Sequence, residues 1–201
     1  MTQLDLTWDA EGMASFFVLF QRGVRVKARI GLSIREVLCR QLDVTDDYLD
    51  NRLNTIFLDG KPVDDTDSAL ITEGSVLALS ASMPGFAGAA LRKGGFYASM
   101  RNTITHSAGE SPVKAGEGFF TVKLYNMTIP ELAPHFLALG VWVAPDALDE
   151  FFEGRSKPFL EGGKTVRIDG REIPVDELTS IPWSDRSDYV RLRVTPEPGP
   201  A

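Results

Sequence analysis

The chain has 201 residues, with 21 Lys and Arg against 28 Asp and Glu, a formal net charge of -7, and 43% hydrophobic residues. This is the balance of an ordinary folded chain of one or two domains, which excludes wholesale disorder and collagen-like repeats. The acidic excess argues against nonspecific nucleic-acid binding, because each phosphate contact needs a Lys or Arg. A single cysteine, Cys39, cannot form an intrachain disulfide or a multi-cysteine metal centre. Met1 to Gly12 carries no basic region, and no apolar run approaches the roughly 18 residues of a membrane span. The expectation is a cytoplasmic protein with no membrane partner.

In chain order, Phe16 to Phe20 is a short apolar run, Arg22-Gly23 a turn, and Val24 to Ile30 alternates apolar and basic residues, as a half-buried strand does. Together they read as a hairpin. Ser33 with Glu36 three residues on matches a capping box, in which each satisfies an orphan donor of the first helical turn. Ile34, Val37, Leu38 and Leu42 then fall at helical spacing, predicting a helix over 34–42. Asp59-Gly60 between Thr55-Ile56-Phe57-Leu58 and Lys61-Pro62-Val63 signals a second hairpin, and Ser75 to Ser80 closes the series as a strand.

This order, with the opening hairpin, the Ser33-Ile34-Arg35-Glu36 cap, the Asp59-Gly60 turn and the closing Gly74 to Leu79, resembles the ubiquitin-like β-grasp family over about Ala14 to Ser82. The resemblance implies a mixed sheet packed on one helix. It also implies use in protein contacts or, as in the sulfur-carrier members, in carrying a group on a terminal glycine.

Downstream the pattern is repeated. Val122-Lys123 parallels Val26-Lys27, Thr128-Ile129-Pro130-Glu131 parallels the first cap, Thr165 to Arg171 parallels Thr55 to Lys61, and Tyr189 to Val194 parallels the closing strand. The first strand of this second copy would run over 97–107, followed by a loop over 108–118. The cap-to-turn spacing grows from 26 residues to 41, leaving an insertion near 145–162, and the early acids of Asp146 to Phe152 make it helical. The expected fold is therefore α+β: two tandem ubiquitin-like β-grasp domains, 1–83 and 97–201, joined by a Gly-rich basic linker at 84–96.

The most unusual stretch is Gly74 to Gly109, 36 residues without an acid but with Arg92, Lys93 and Arg101. Arg92, Lys93, Gly94, Gly95 and Arg101 are the candidate anion-binding residues, since glycines expose backbone N–H groups and the cations neutralise a phosphate or carboxylate. Leu91-Arg92-Lys93-Gly94-Gly95 also resembles the diglycine tail of ubiquitin-like modifiers; here Gly95 is internal, so that chemistry requires cleavage after it. Trp142, Phe151, Phe152 and Phe159 are candidate interface residues, with core packing as their other reading. Cys39 with His106 or His135 gives a nucleophilic pair only if the fold joins them. Asp64, Asp65 and Asp67 lack calcium-loop spacing, and Asp43, Asp46, Asp47 and Asp50 read as a solvated acidic face. No catalytic set, metal site or cofactor motif is found. The expected function is noncatalytic protein binding or scaffolding, through another protein or a homo-oligomer. The alternatives are a carrier processed at Gly95 and a binder of small anionic ligands.

Overall fold

A computed structural model describes residues 2–82, 85–96, 115–185 and 189–198, with backbone alone at 86 and 87. The chain divides into two compact units that are not successive: unit 1 holds residues 1–24 and 130–201, and unit 2 holds 25–129. Ten strands form mixed sheet, five in each unit, and two more pair as a short ribbon. This corrects the expectation of two tandem β-grasp domains, because the C-terminal unit is completed by the first residues of the chain.

In unit 1 the strand order is β11 (Arg171–Ile173), β10 (Gly163–Ile168), β1 (Gln3–Trp8), β12 (Val190–Pro196), β9 (Val141–Val143). The central strand β1 runs parallel to β12, with Leu4 beside Leu192, and antiparallel to β10, with Leu4 beside Ile168. Its side chains alternate: Leu4, Leu6 and Trp8 are buried, while Gln3, Asp5 and Thr7 are half-buried on the other face. The Phe16 to Phe20 run expected as a strand is helical, split between a 3₁₀ turn, Phe16–Val18, and α2 (Leu19–Arg22) after α1 (Ala10–Ser15). A short apolar run suits either state, and here tertiary burial of Phe16, Leu19 and Phe20 selects the helix. The stretch near 145–162, expected as a helical insertion in a second β-grasp copy, is helical over Pro145–Phe152 and Lys157–Glu161, but there is no such copy for it to interrupt.

Unit 2 orders its strands β2 (Val24–Ile30), β8 (Gly116–Tyr125), β7 (Val76–Ser80), β4 (Thr55–Leu58), β5 (Lys61–Pro62), with β3 (Leu32–Ser33) and β6 (Leu70–Ile71) as the ribbon. The helix α3 (Ile34–Arg40) starts on the expected capping box: Ser33 Oγ accepts from Glu36 N, and Glu36 accepts from Ser33 N at 3.0 Å. Such a cap contributes about 1 kcal/mol. Its buried residues Ile34, Val37 and Leu38 belong to the same core as Ile56, Leu58, Leu77, Leu79, Val122 and Leu124. β8 was expected to belong to the second copy; it instead pairs in parallel with β7, Ala78 beside Lys123. The stretch expected as a strand over 97–107 lies outside the described residues.

The two Asp-Gly turns are where the internal likeness is real. Asp59 and Asp169 both have φ of 51°, followed by Gly60 at 77° and Gly170 at 82°, the paired positive φ of a type I′ hairpin turn. No helix among the described residues is long and apolar enough to cross a membrane.

Candidate functional site

The segment 84–96, expected as a linker, contains a short helix, α4 (Gly85–Leu91), and the turn after it is tied down within unit 2. Arg92 Nε donates to Asn54 Oδ1 at 3.1 Å, Lys93 N donates to the Asn54 carbonyl at 2.7 Å, and Lys93 Nζ donates to the Leu49 carbonyl at 2.7 Å. Gly94 N donates to Asp64 Oδ1 at 3.1 Å, and Gly95 N to the Arg92 carbonyl at 3.0 Å. Burial lowers the pKa of Lys93, partly offset by Asp50. The N–H groups expected to cradle an external anion thus already have acceptors within the chain. Arg101 and His106 lie outside the described residues.

The acidic face is organised around one guanidinium. Arg35 reaches Asp50 at 2.7 Å, Asp67 at 2.9 Å and Asp46 at 3.1 Å, and Arg40 reaches Asp46 at 2.8 Å. Hydrogen bonds from Arg40 and then Arg35 lower the pKa of Asp46, and Arg35 does the same for Asp50. Asp65 accepts from Asp67 N at 2.9 Å, an Asx turn. Burial first, and Asp46 second, push the Cys39 thiol up to about 11, which keeps it protonated and a poor nucleophile near neutral pH. Among the described residues no three His, Cys, Asp or Glu side chains converge as metal ligands.

The candidate interface aromatics lie in unit 1, and three of the four belong to its core. Phe151, Phe152 and Phe159 are 4%, 1% and 7% exposed, which leaves their rings little surface to offer a partner. Phe16 lies 4.7 Å from Phe151 and 5.6 Å from Phe159, and Phe152 stacks on Trp183 at 5.9 Å. Such contacts contribute about 0.5–1.5 kcal/mol each beyond area burial. Trp142 is half-buried, with the Arg191 guanidinium 5.6 Å from its ring.

A surface that the sequence reading missed lies on the sheet of unit 2. β7 sends Leu77 and Leu79 into the core, so the half-buried Val76 and Ala78 lie on the opposite face of the alternating strand, with Ser80 buried at its end. Register puts Phe57, Ala78 and Lys123 side by side across β4, β7 and β8, with Ser80 beside Tyr125 in the next row. Ala78 is short, and its neighbours are long, so the row is concave: these residues line a groove of about 570 Å³ with Val76, Gly60 and Asn126. Asn126 holds one end, donating to Ser80 Oγ at 3.2 Å and to the Ser82 carbonyl at 2.9 Å. Asp59 holds the other, accepting from Val76 N at 2.7 Å. Phe57 and Val76 are half-buried, and Tyr125 is 41% exposed. The legible signal was the alternation Val76-Leu77-Ala78-Leu79; its outer face is apolar too, where a solvated face would be polar.

Comparison with family models, with curated proteins and with solved structures gave no match in any of the three.

Proposed function

We propose that this chain is a noncatalytic binding protein that uses the outer face of the unit 2 sheet to hold a protein partner. The observation that carries this reading is the groove over Ala78, flanked by Phe57, Lys123 and Tyr125. An apolar floor with aromatic walls and a polar rim of Lys123 and Asn126 has the composition of a protein-contact surface. The internal bonds of Lys93 and Gly94 favour this reading over anion capture by the same segment, and over a carrier tail released at Gly95.

A photo-crosslinking residue in place of Tyr125 tests the reading. The expected result is a discrete adduct with one identified protein, whose affinity for the purified chain falls at least tenfold in Ala78→Arg. A self-adduct lost in the same variant would make the partner a second copy. Adducts that Ala78→Arg leaves unchanged would contradict the reading.

A further inference from the structure

β7 is hydrogen-bonded to β4 on one side and to β8 on the other, so its main chain is not open to an incoming strand. A partner enters the groove over Ala78 with side chains alone. The parallel pairing of β7 with β8 bears on the same point, because parallel strands are ordinarily covered on both faces, and here only the Leu77 and Leu79 face is fully buried. Strands spaced about 4.8 Å apart put the Phe57 and Lys123 walls about 10 Å from each other, and Val76 to Ser80 runs about 13 Å. An α-helix is about 10–12 Å across, and about nine of its residues cover that length. The short residues Gly60 and Ala78 leave room for it to approach.

One charge stands in this apolar groove. Lys123 is half-buried beside Ala78, no Asp or Glu among the described residues lines the groove, and the Lys123 ammonium has no hydrogen bond or ion pair among them. Other cations of unit 2 are matched: Arg25 meets Glu73 and Lys27 meets Glu117, each at 3.4 Å. A half-buried cation without a counterion is complementary to a carboxylate from outside. Past Asn126, Met127 is 54% exposed, a flexible apolar side chain of the kind that adapts to a docked helix. We infer that the groove takes one amphipathic α-helix of the partner. Its apolar residues at i, i+3 or i+4, and i+7 lie over Ala78, and an Asp or Glu of the same helix meets Lys123. This rests on the reading of the groove as a partner surface and adds the form and charge of what it holds. An extended segment gains no main-chain pairing here, and a basic helix sets two cations together.

Phage display tests it, with random peptides of about 16 residues, long enough for about four helical turns, selected on the full chain and counter-selected on Ala78→Arg. The expected peptides share the helical apolar spacing and an acid, show helical carbon shifts by NMR when bound, and move the Ala78 and Tyr125 amides of the full chain. Those amide shifts fix the site even if Ala78→Arg misfolds. Affinity should fall at least tenfold in Lys123→Glu and recover when Lys replaces the peptide's acid. Lys123→Gln, which removes the charge without reversing it, should cost at least threefold and keeps the test valid if Lys123→Glu misfolds. Peptides that move the same amides but bind in an extended form, or whose affinity survives both Lys123 variants, would overturn the inference and leave the groove as a partner surface. If no enriched peptide moves those amides, the inference fails together with the reading beneath it.

Discussion

Trp8 donates its indole N–H to the carbonyl of Phe159, 151 residues later, at 2.9 Å, and the two rings stack 5.0 Å apart. The first strand of the chain is thereby keyed into the aromatic core of unit 1. Trp8→Phe keeps a ring but leaves the Phe159 carbonyl without its donor, for an expected loss of about 1–3 kcal/mol. Trp8→Ala empties the site and should cost about 3–5 kcal/mol. Urea unfolding of both variants checks the order; equal stability of Trp8→Ala and the parent would contradict the packing.

Gly12 sits under the same indole. A β-carbon there would clash with the Cδ1 and Nε1 edge of the Trp8 indole, whereas one at Gly116 would meet nothing within 4 Å. Gly12→Ala should therefore destabilise by about 1–3 kcal/mol through overpacking. Gly116→Ala should stay within about 0.5 kcal/mol of the parent. Thermal melts of the pair measure the contrast.

The parts of the fold legible in the sequence were those fixed by local chemistry. Ser33 and Glu36 start α3, Asp59-Gly60 and Asp169-Gly170 make their turns, and Val24 to Ile30 reads directly as a strand. What failed was pairing between distant segments. Leu4, Leu6 and Trp8 carry a period-2 signal, yet nothing local reveals that their neighbours are Leu192 and Val194. Similar turns and caps suggested a copied module, but the same local devices serve two units whose strands come from different parts of the chain. The candidate site suffered likewise: the groove over Ala78 exists only through register. Arg92 to Gly95 was notable for composition, and composition does not reveal that Asn54, Leu49 and Asp64 occupy its donors.

The Arg35 network gives a signed dependence on pH. The folded pKa values of Asp46 and Asp50 lie below the ordinary 3.8, so their contribution is present above that value and is lost as pH falls through the folded ones. Arg35→Met should be less stable than the parent at neutral pH. The gap should close as pH falls below about 4, the ordinary carboxylate range. Parallel urea titrations across that range measure it; a gap independent of pH would show that Arg35 acts through packing alone.

Asn54 links the Lys93 turn to the strand end, accepting from Arg92 and donating to the Ala81 carbonyl at 2.6 Å. Asn54→Ala should loosen the turn by about 1 kcal/mol, near fivefold in its open population. Trypsin cleavage after Lys93 should accelerate by that factor under native conditions, read by mass spectrometry. An unchanged rate would mean that the backbone bond from Lys93 to Asn54 holds the turn by itself.

The groove over Ala78 depends on strand register, because a slip of one residue would send Ala78 to the opposite face. Interstrand NOEs in the full chain measure that register directly. The structure calls for contacts between Ala78 and Lys123 in the β7 and β8 pair, and between Asp5 and both Arg167 and Arg193 around β1. NOEs that join β1 to unit 2 strands in their place, or that shift Ala78 off Lys123 by one residue, would contradict the account.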